Sequence, residues 1–412
     1  MNLNDKKIIY VTREIERALG TTPNKDYIII TNKTTYGETI KSQYPDFVYL
    51  IESPDKKLLG TTELLSHPET AKIVTPDSNI LVFKNTLRVE SEANAKKWKI
   101  INPKSFLSEK VENKLSQIRW LGDLGTKYLP PHTVKLAKQI IWKNEPFIIQ
   151  WAHGHTGDGT MLIKTKEELS LLQEKFPERM ARLTTYIKGP SFTVNAIVSK
   201  DKIMMGNISY QITGLLPFTD NEFSSIGNDW GFAKKYLTSR DVQSIQAMVG
   251  DIGNKLQKDN WKGLFGLDFI QDEKTKRIYL IEINARQPAS TVFESSLELE
   301  QREKNNIKGI TTFEAHLRAL LDLPIDQDII CIEDGAQIVQ RVTKQIQSVF
   351  DDATAVLKQK GFEVVSYQNT SPNLDLIRIQ SNKSIIEAHG TLDKDGQVIA
   401  ETIKSCKLNL EF

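Results

Sequence analysis

Two apolar runs, GLFGLDFI at 263–270 and IYLIEINAR at 278–286, constrain this chain more than any other stretch. They are joined by a polar turn at Asp272–Lys276, which makes a β-hairpin the natural reading. Alternate residues of a strand share a face, so Leu280, Glu282 and Asn284 point the same way. With the turn centred near Lys274, Asp268 is expected opposite Leu280 and diagonal to Glu282. Two carboxylates held together among apolar neighbours repel unless a cation joins them. Carboxylate and carboxamide oxygens suit Mg²⁺, which keeps water and phosphate ligands, and they also admit Mn²⁺. An exposed strand face with ordinary polar residues fits the same letters at this point. Arg286 shares the parity of Asn284, where a guanidinium serves either a phosphate oxygen or a surface ion pair.

At 412 residues the chain exceeds one core, and roughly three or four lobes are expected. Its 39% hydrophobic and 26% charged content is that of a folded globular protein, which excludes extended disorder. A net charge of +2 gives no overall pull toward nucleic acid or an anionic membrane. Cys331 and Cys406 have no metal-binding spacing and are expected to be reduced packing residues. The charged N-terminus lacks a signal-peptide core, and no apolar run is long enough to span a bilayer. A cytoplasmic protein follows as the expectation, with no nucleic-acid or membrane partner.

The short runs KIIYV, DYIIIT, FVYLIE and ILVFKN, at 7–85, alternate with helical or turn-rich material. They predict an open α/β domain over 1–103. The first run leads into Thr12-Arg13-Glu14-Ile15 without glycine, which argues against a dinucleotide-binding turn. A helix is predicted over 104–121, then a break at Leu129-Pro130-Pro131. PFIIQW and TMLIKT flank a loop with Gly154, Gly157 and Gly159, two strands about a glycine-rich turn. A second hairpin is predicted at 192–212, and Ser239 is read as the N-cap of a helix carrying Ile245, Val249, Ile252 and Leu256. Asp322-Leu323-Pro324 ends a helix, and compact α/β material follows.

The run GLFGLDFI…IYLIEINAR resembles the C-terminal signature of ATP-grasp enzymes. That resemblance implies Asp268, Glu282 and Asn284 as metal ligands, and Arg286 as a phosphate or acyl-phosphate contact. PFIIQWAHGHTGDGTMLI resembles the family's lid strand, loop and strand. TTYIKGPSFTVNAIV at 184–198 resembles the adenine hinge, which assigns Tyr186, Ile187 and Lys188 to the purine. SEKVENK at 108–114 resembles the helix with the first ATP-binding lysine, Lys110, with Lys114 as the alternative. In GFAKKYL, Lys235 lies where D-alanine ligase relatives place a lysine near the γ-phosphate. The implied architecture is a multidomain ATP-grasp fold of mixed α/β and α+β class. Its parts are a Rossmann-like pre-ATP-grasp domain (1–103), an ATP-grasp domain (104–325, lid about 129–187, core about 188–325) and a small C-terminal α/β domain (326–412).

Three positions depart from the family pattern. Gln150 stands where the lid strand carries lysine, Ser191 where many members grip the ribose with an acid, and Thr184 where a hinge glutamate is common. Lys143 and Lys164 are candidates to compensate. The expected activity is ADP-forming activation of a carboxylate as an acyl phosphate, using ATP and Mg²⁺, then joining to an amine or other nucleophile. A catalytically inactive nucleotide-binding scaffold and a biotin-carboxylase-like enzyme acting on bicarbonate are the alternatives. The loop 213–230 either lines the acceptor pocket or is a surface excursion. His153 and His155 read as loop histidines, His316 as structural, and the C-terminal domain as completing the site or pairing two copies.

Overall fold

The structure is a computed structural model that describes residues 3, 6–55, 57–152, 159–346, 348 and 351–405. Near the N-terminus, β1 (Ile8–Val11), β2 (Tyr27–Asn32), β3 (Val48–Ile51), β4 (Asn79–Val82) and β5 (Lys99–Ile100) form a parallel sheet, order β3-β2-β1-β4-β5. Unbroken apolar runs make this sheet because both faces are covered. Along β1, Ile9 and Val11 pack with Leu64, Leu65 and Val89, whereas Ile8 and Tyr10 join Phe313, Leu317 and Leu320 of the later helix Thr312–Leu320. That second face fastens the N-terminal sheet to the rest of the molecule.

The span 104–121 is two helices rather than one, Ser105–Glu112 and Lys114–Leu121. Asn113 is the cause: its side chain accepts from the amides of Leu115 and Ser116, a local bond that competes with helix continuation. The break turns Lys114 inward and leaves Lys110 on the exposed side.

The region expected to form the lid is an antiparallel sheet of β6 (His132–Leu136), β7 (Phe147–Trp151), β8 (Thr160–Ile163) and β9 (Met180–Thr185), order β6-β9-β7-β8. The main sheet has eight strands: β10 (Ser191–Val198), β11 (Ile203–Thr213), β12 (Ser225–Asp229), β13 (Gly263–Gln271), β14 (Ile278–Asn284), β15 (Ala336–Arg341), β16 (Glu363–Ser366) and β17 (Asp375–Ser381). Their order is β14-β13-β10-β11-β12-β15-β17-β16, so the strands after residue 325 continue the same sheet. A two-stranded ribbon, β18 (Ile386–Ala388) and β19 (Thr391–Leu392), follows. The helix Ser239–Lys258 packs Ile245, Val249, Ile252 and Leu256 on this sheet. Its N-cap is Thr238, not Ser239, because Thr238 and Asp241 close a reciprocal capping box. Among the described residues no helix is long and apolar enough to cross a membrane.

Candidate active site

The β13–β14 hairpin forms as the letters require, with one difference in register. A bulge between Asp268 and Phe269 sets Asp268 directly opposite Glu282, while Phe269 pairs with Leu280. The extra residue turns a diagonal neighbour into a cross-strand pair and brings the two carboxyls closer than the expected register would. Asn284 Nδ2 donates to Asp268 Oδ2 at 3.1 Å, and Arg286 Nη1 donates to Asn284 Oδ1 at 2.7 Å. Arg286 also lies 3.4 Å from Glu112 Oε1.

The two carboxyls respond in opposite directions to nearly equal burial. Burial and then the facing Glu282 charge push Asp268 above its ordinary range, outweighing hydrogen bonds from Thr193, Asn284 and Gln211. Burial also pushes Glu282 upward, but Lys114, Arg286 and Arg182 together hold it below the ordinary value. Lys114 Nζ sits 3.0 Å from Glu282 Oε1 and is only 4% exposed.

These groups line one cavity of about 550 Å³ between the lid and the main sheet. Among the described residues, no three His, Cys, Asp or Glu side chains are arranged to hold a metal ion alone. Asp268 and Glu282 nevertheless fit Mg²⁺, since that ion is commonly held by one or two carboxylates and completed by water and phosphate. Asp268 and Glu282 face each other in register, and a cation between them would relieve the repulsion that, with burial, raises Asp268.

The lid side contributes a residue that the sequence did not single out. Gln150 on β7 pairs in register with Arg182 on β9. Arg182 Nε and Nη2 donate to Gln150 Oε1 at 2.8 and 2.5 Å, Nη1 to Gln117 Oε1 at 3.0 Å, and Nη2 to the Ile281 carbonyl at 3.0 Å. Burial pushes this guanidinium down to about 10 against the attraction of Glu282. A strand with one arginine reads as surface, so only the cross-strand pairing reveals that Arg182 is buried at the cavity.

Between lid and main sheet, Tyr186, Ile187, Lys188 and Ser191 all line the cavity, as does Thr184. Gly189 is required there, because a Cβ would lie 1.9 Å from the Gln271 carbonyl oxygen. The Lys188 carbonyl accepts from the Glu273 amide at 2.9 Å, and Lys188 Nζ lies 3.3 Å from Glu273. Across the cavity, Glu222, Phe223, Ser225 and Asn228 of the 213–230 segment form a wall together with Arg341 of β15 and His389. His389 Nδ1 is 2.9 Å from the Tyr210 hydroxyl. Arg341 ends the buried strand β15, and that position was the one available cue; a lone histidine in EAHG gave none.

Other expected residues lie elsewhere. Lys110 is exposed and does not line the cavity; Lys114 takes the inward position. Lys235 faces a separate groove with Asp334, Glu387 and Asp393. Lys143 is exposed, and Lys164 is 3.9 Å from Glu222 at the surface. Gly159 lines the cavity, whereas Gly154, Gly157, His153, His155 and Cys406 lie outside the described residues. His316 accepts from the Leu264 amide, and burial pushes it down to about 3, consistent with a neutral structural ring.

An ATP-grasp domain model matches residues 111–290. No curated protein sequence matches the chain significantly. Among solved structures, N5-carboxyaminoimidazole synthase from Aspergillus clavatus in complex with ADP and 5-aminoimidazole ribonucleotide is 15% identical. It covers 98% of this chain and 99% of its own, with a TM-score of 0.63. N5-carboxyaminoimidazole synthetase from Staphylococcus aureus is 11% identical, at 98% and 100% coverage and a TM-score of 0.62. L-amino acid ligase from Bacillus licheniformis is 13% identical, at 97% and 98% coverage and a TM-score of 0.61. Such identities establish the fold, and the domain match shows that residues 111–290 are an ATP-grasp domain.

Proposed function

We propose that this protein is an ADP-forming ligase that activates a small carboxylate as an acyl phosphate and joins it to an amine. One observation carries the reading: Asp268 and Glu282 face each other beside the β14 bulge at Ile281, with Lys114, Arg182 and Arg286 converging on the same cavity. Bound Mg²⁺ would neutralise phosphate charge, held by Asp268 and Glu282 with Asn284 beside them. Tyr186 and Ile187, which line the cavity, would pack on and read the adenine, while the Lys188 carbonyl is engaged by the Glu273 amide. Ser191, which lines the cavity, would meet the ribose as a neutral hydroxyl in place of the usual carboxylate.

The substrate carboxylate oxygen attacks the γ-phosphorus, and the bond to the β–γ bridging oxygen breaks, releasing ADP. Arg286 and Lys114 supply fixed positive charge where negative charge shifts during that step. The amine nitrogen then attacks the acyl carbon, phosphate leaves, and the nitrogen loses a proton. Closure of the lid excludes water that would otherwise hydrolyse the acyl phosphate. Glu222 and Arg341 give the far wall both signs of charge, which suits an amino acid carrying ammonium and carboxylate.

The reading is tested by incubating the protein with Mg-ATP and pooled amino acids or small carboxylic acids, following ADP and phosphate. Substrate-dependent ADP release, lowered at least about 100-fold by Glu282→Gln, is the expected result. AMP and pyrophosphate in place of ADP would replace the acyl phosphate with an adenylate. Bicarbonate as the only stimulating carboxylate would move the assignment to bicarbonate activation.

A further inference from the structure

The lid strand lacks its lysine, yet the cavity does not lack a lid cation. Arg182 is 1% exposed, lines the cavity and stands across from Gln150, one strand away from the expected charge. Four of its five N–H groups go to neutral oxygens: two to Gln150, one to Gln117 and one to the Ile281 carbonyl. No carboxylate lies within ion-pair distance of it among the described residues, and Glu282 is already taken by Lys114 at 3.0 Å. A guanidinium kept dry with only neutral acceptors is costly unless an anion completes its surroundings.

We propose that Arg182 is the lid's phosphate-binding residue, replacing the missing strand lysine, and that Gln150 positions it by accepting both Nε and Nη2. The proposal rests on the nucleotide-site reading above. A long arginine on β9 reaches the same cavity that a lysine on β7 would enter, and its planar fork can hold Gln150 and a phosphate oxygen at once. The bond to the Ile281 carbonyl also ties this lid cation to β14, the strand that carries Glu282 and Asn284. Phosphate binding and the position of the acidic strand are thereby joined in one side chain.

Calorimetry with Mg-ATP and, separately, adenosine tests this in the wild type, Arg182→Gln, Arg182→Lys and the double variant Gln150→Lys/Arg182→Gln. Arg182→Gln is expected to weaken Mg-ATP about 10- to 100-fold and to leave adenosine within about twofold. The double variant, with lysine returned to β7, is expected to recover most of the loss, and Arg182→Lys part of it. Equal weakening of both ligands would make Arg182 a structural tie of the lid and overturn the proposal. Unchanged Mg-ATP binding in a folded Arg182→Gln protein would overturn it as well. A wild type that binds adenosine but gains nothing from the phosphates overturns the proposal alone, whereas no binding of either ligand overturns the nucleotide site too.

Discussion

The two walls of the cavity hold their charges in different ways. On the main-sheet side, Asp268, Glu282 and Asn284 lie on one hairpin, so sequence spacing and a single bulge set their geometry. On the lid side, the cation and its support come from β9, β7 and the helix Lys114–Leu121, brought together only by tertiary pairing. A local site tolerates little change in residue type, because every member is fixed by its neighbours in the chain. An assembled site can pass a function from one strand to the next while the cavity keeps its charge. The comparison therefore predicts severe, unrescuable losses on the hairpin and compensable ones on the lid.

The largest effect is expected at Lys114, which bridges the two walls. Lys114→Met removes the nearest cation from Glu282 and should reduce ADP formation by roughly 100-fold or more. It should also lower stability in chemical unfolding, because the Glu282 charge is then less well compensated. Activity within a few-fold of wild type would place the essential lysine elsewhere.

Asp268→Asn separates stability from function. The folded-state pKa of Asp268 lies above its ordinary 3.8, so without metal its ionised form destabilises the fold, and that penalty disappears as pH falls through the raised value. Glu282 has the opposite sign: its contribution is present above the ordinary 4.5 and is lost as pH falls through its lowered value. Metal-free Asp268→Asn is thus expected to melt at or above the wild-type temperature near pH 7, with the stabilisation by Mg-ATP removed. A lower melting temperature without metal, read by calorimetry, would show that the Asp268 hydrogen bonds outweigh its charge penalty.

A smaller loss, about 3- to 10-fold in Mg-ATP affinity, is expected for Gln150→Ala, which removes the support of Arg182 but not its charge. The smallest effect belongs to Lys110→Ala, within about twofold in every assay, because that side chain is exposed outside the cavity. A loss at Lys110 that matched the one at Lys114 would restore the first choice of lysine.

Much of the fold was legible because its strands are short apolar runs with clear punctuation, and KIIYV, DYIIIT and the GLFGLDFI hairpin fall where their patterns place them. The misreadings have local causes. Asn113 caps a second helix inside a continuous apolar pattern, and Thr238 outcompetes Ser239 through Asp241. A one-residue bulge is invisible to strict alternation, so Asp268 was set diagonal to Glu282. The site was legible where it is local, at Asp268, Glu282, Asn284 and Arg286. Arg182, Arg341 and His389 needed pairings across 30 to more than 100 residues, for which sequence carries no spacing rule.

The continuity of the main sheet has a consequence during synthesis. Strand β12 must wait for β15, which is made more than 100 residues later and pairs Ile338 with Gly227. Until that segment leaves the ribosome, the nascent chain presents a strand edge with unpaired amides and carbonyls, the kind of edge that captures other chains. A chain ended near residue 325 would keep that edge for good, so its natural fate is aggregation rather than a smaller working enzyme.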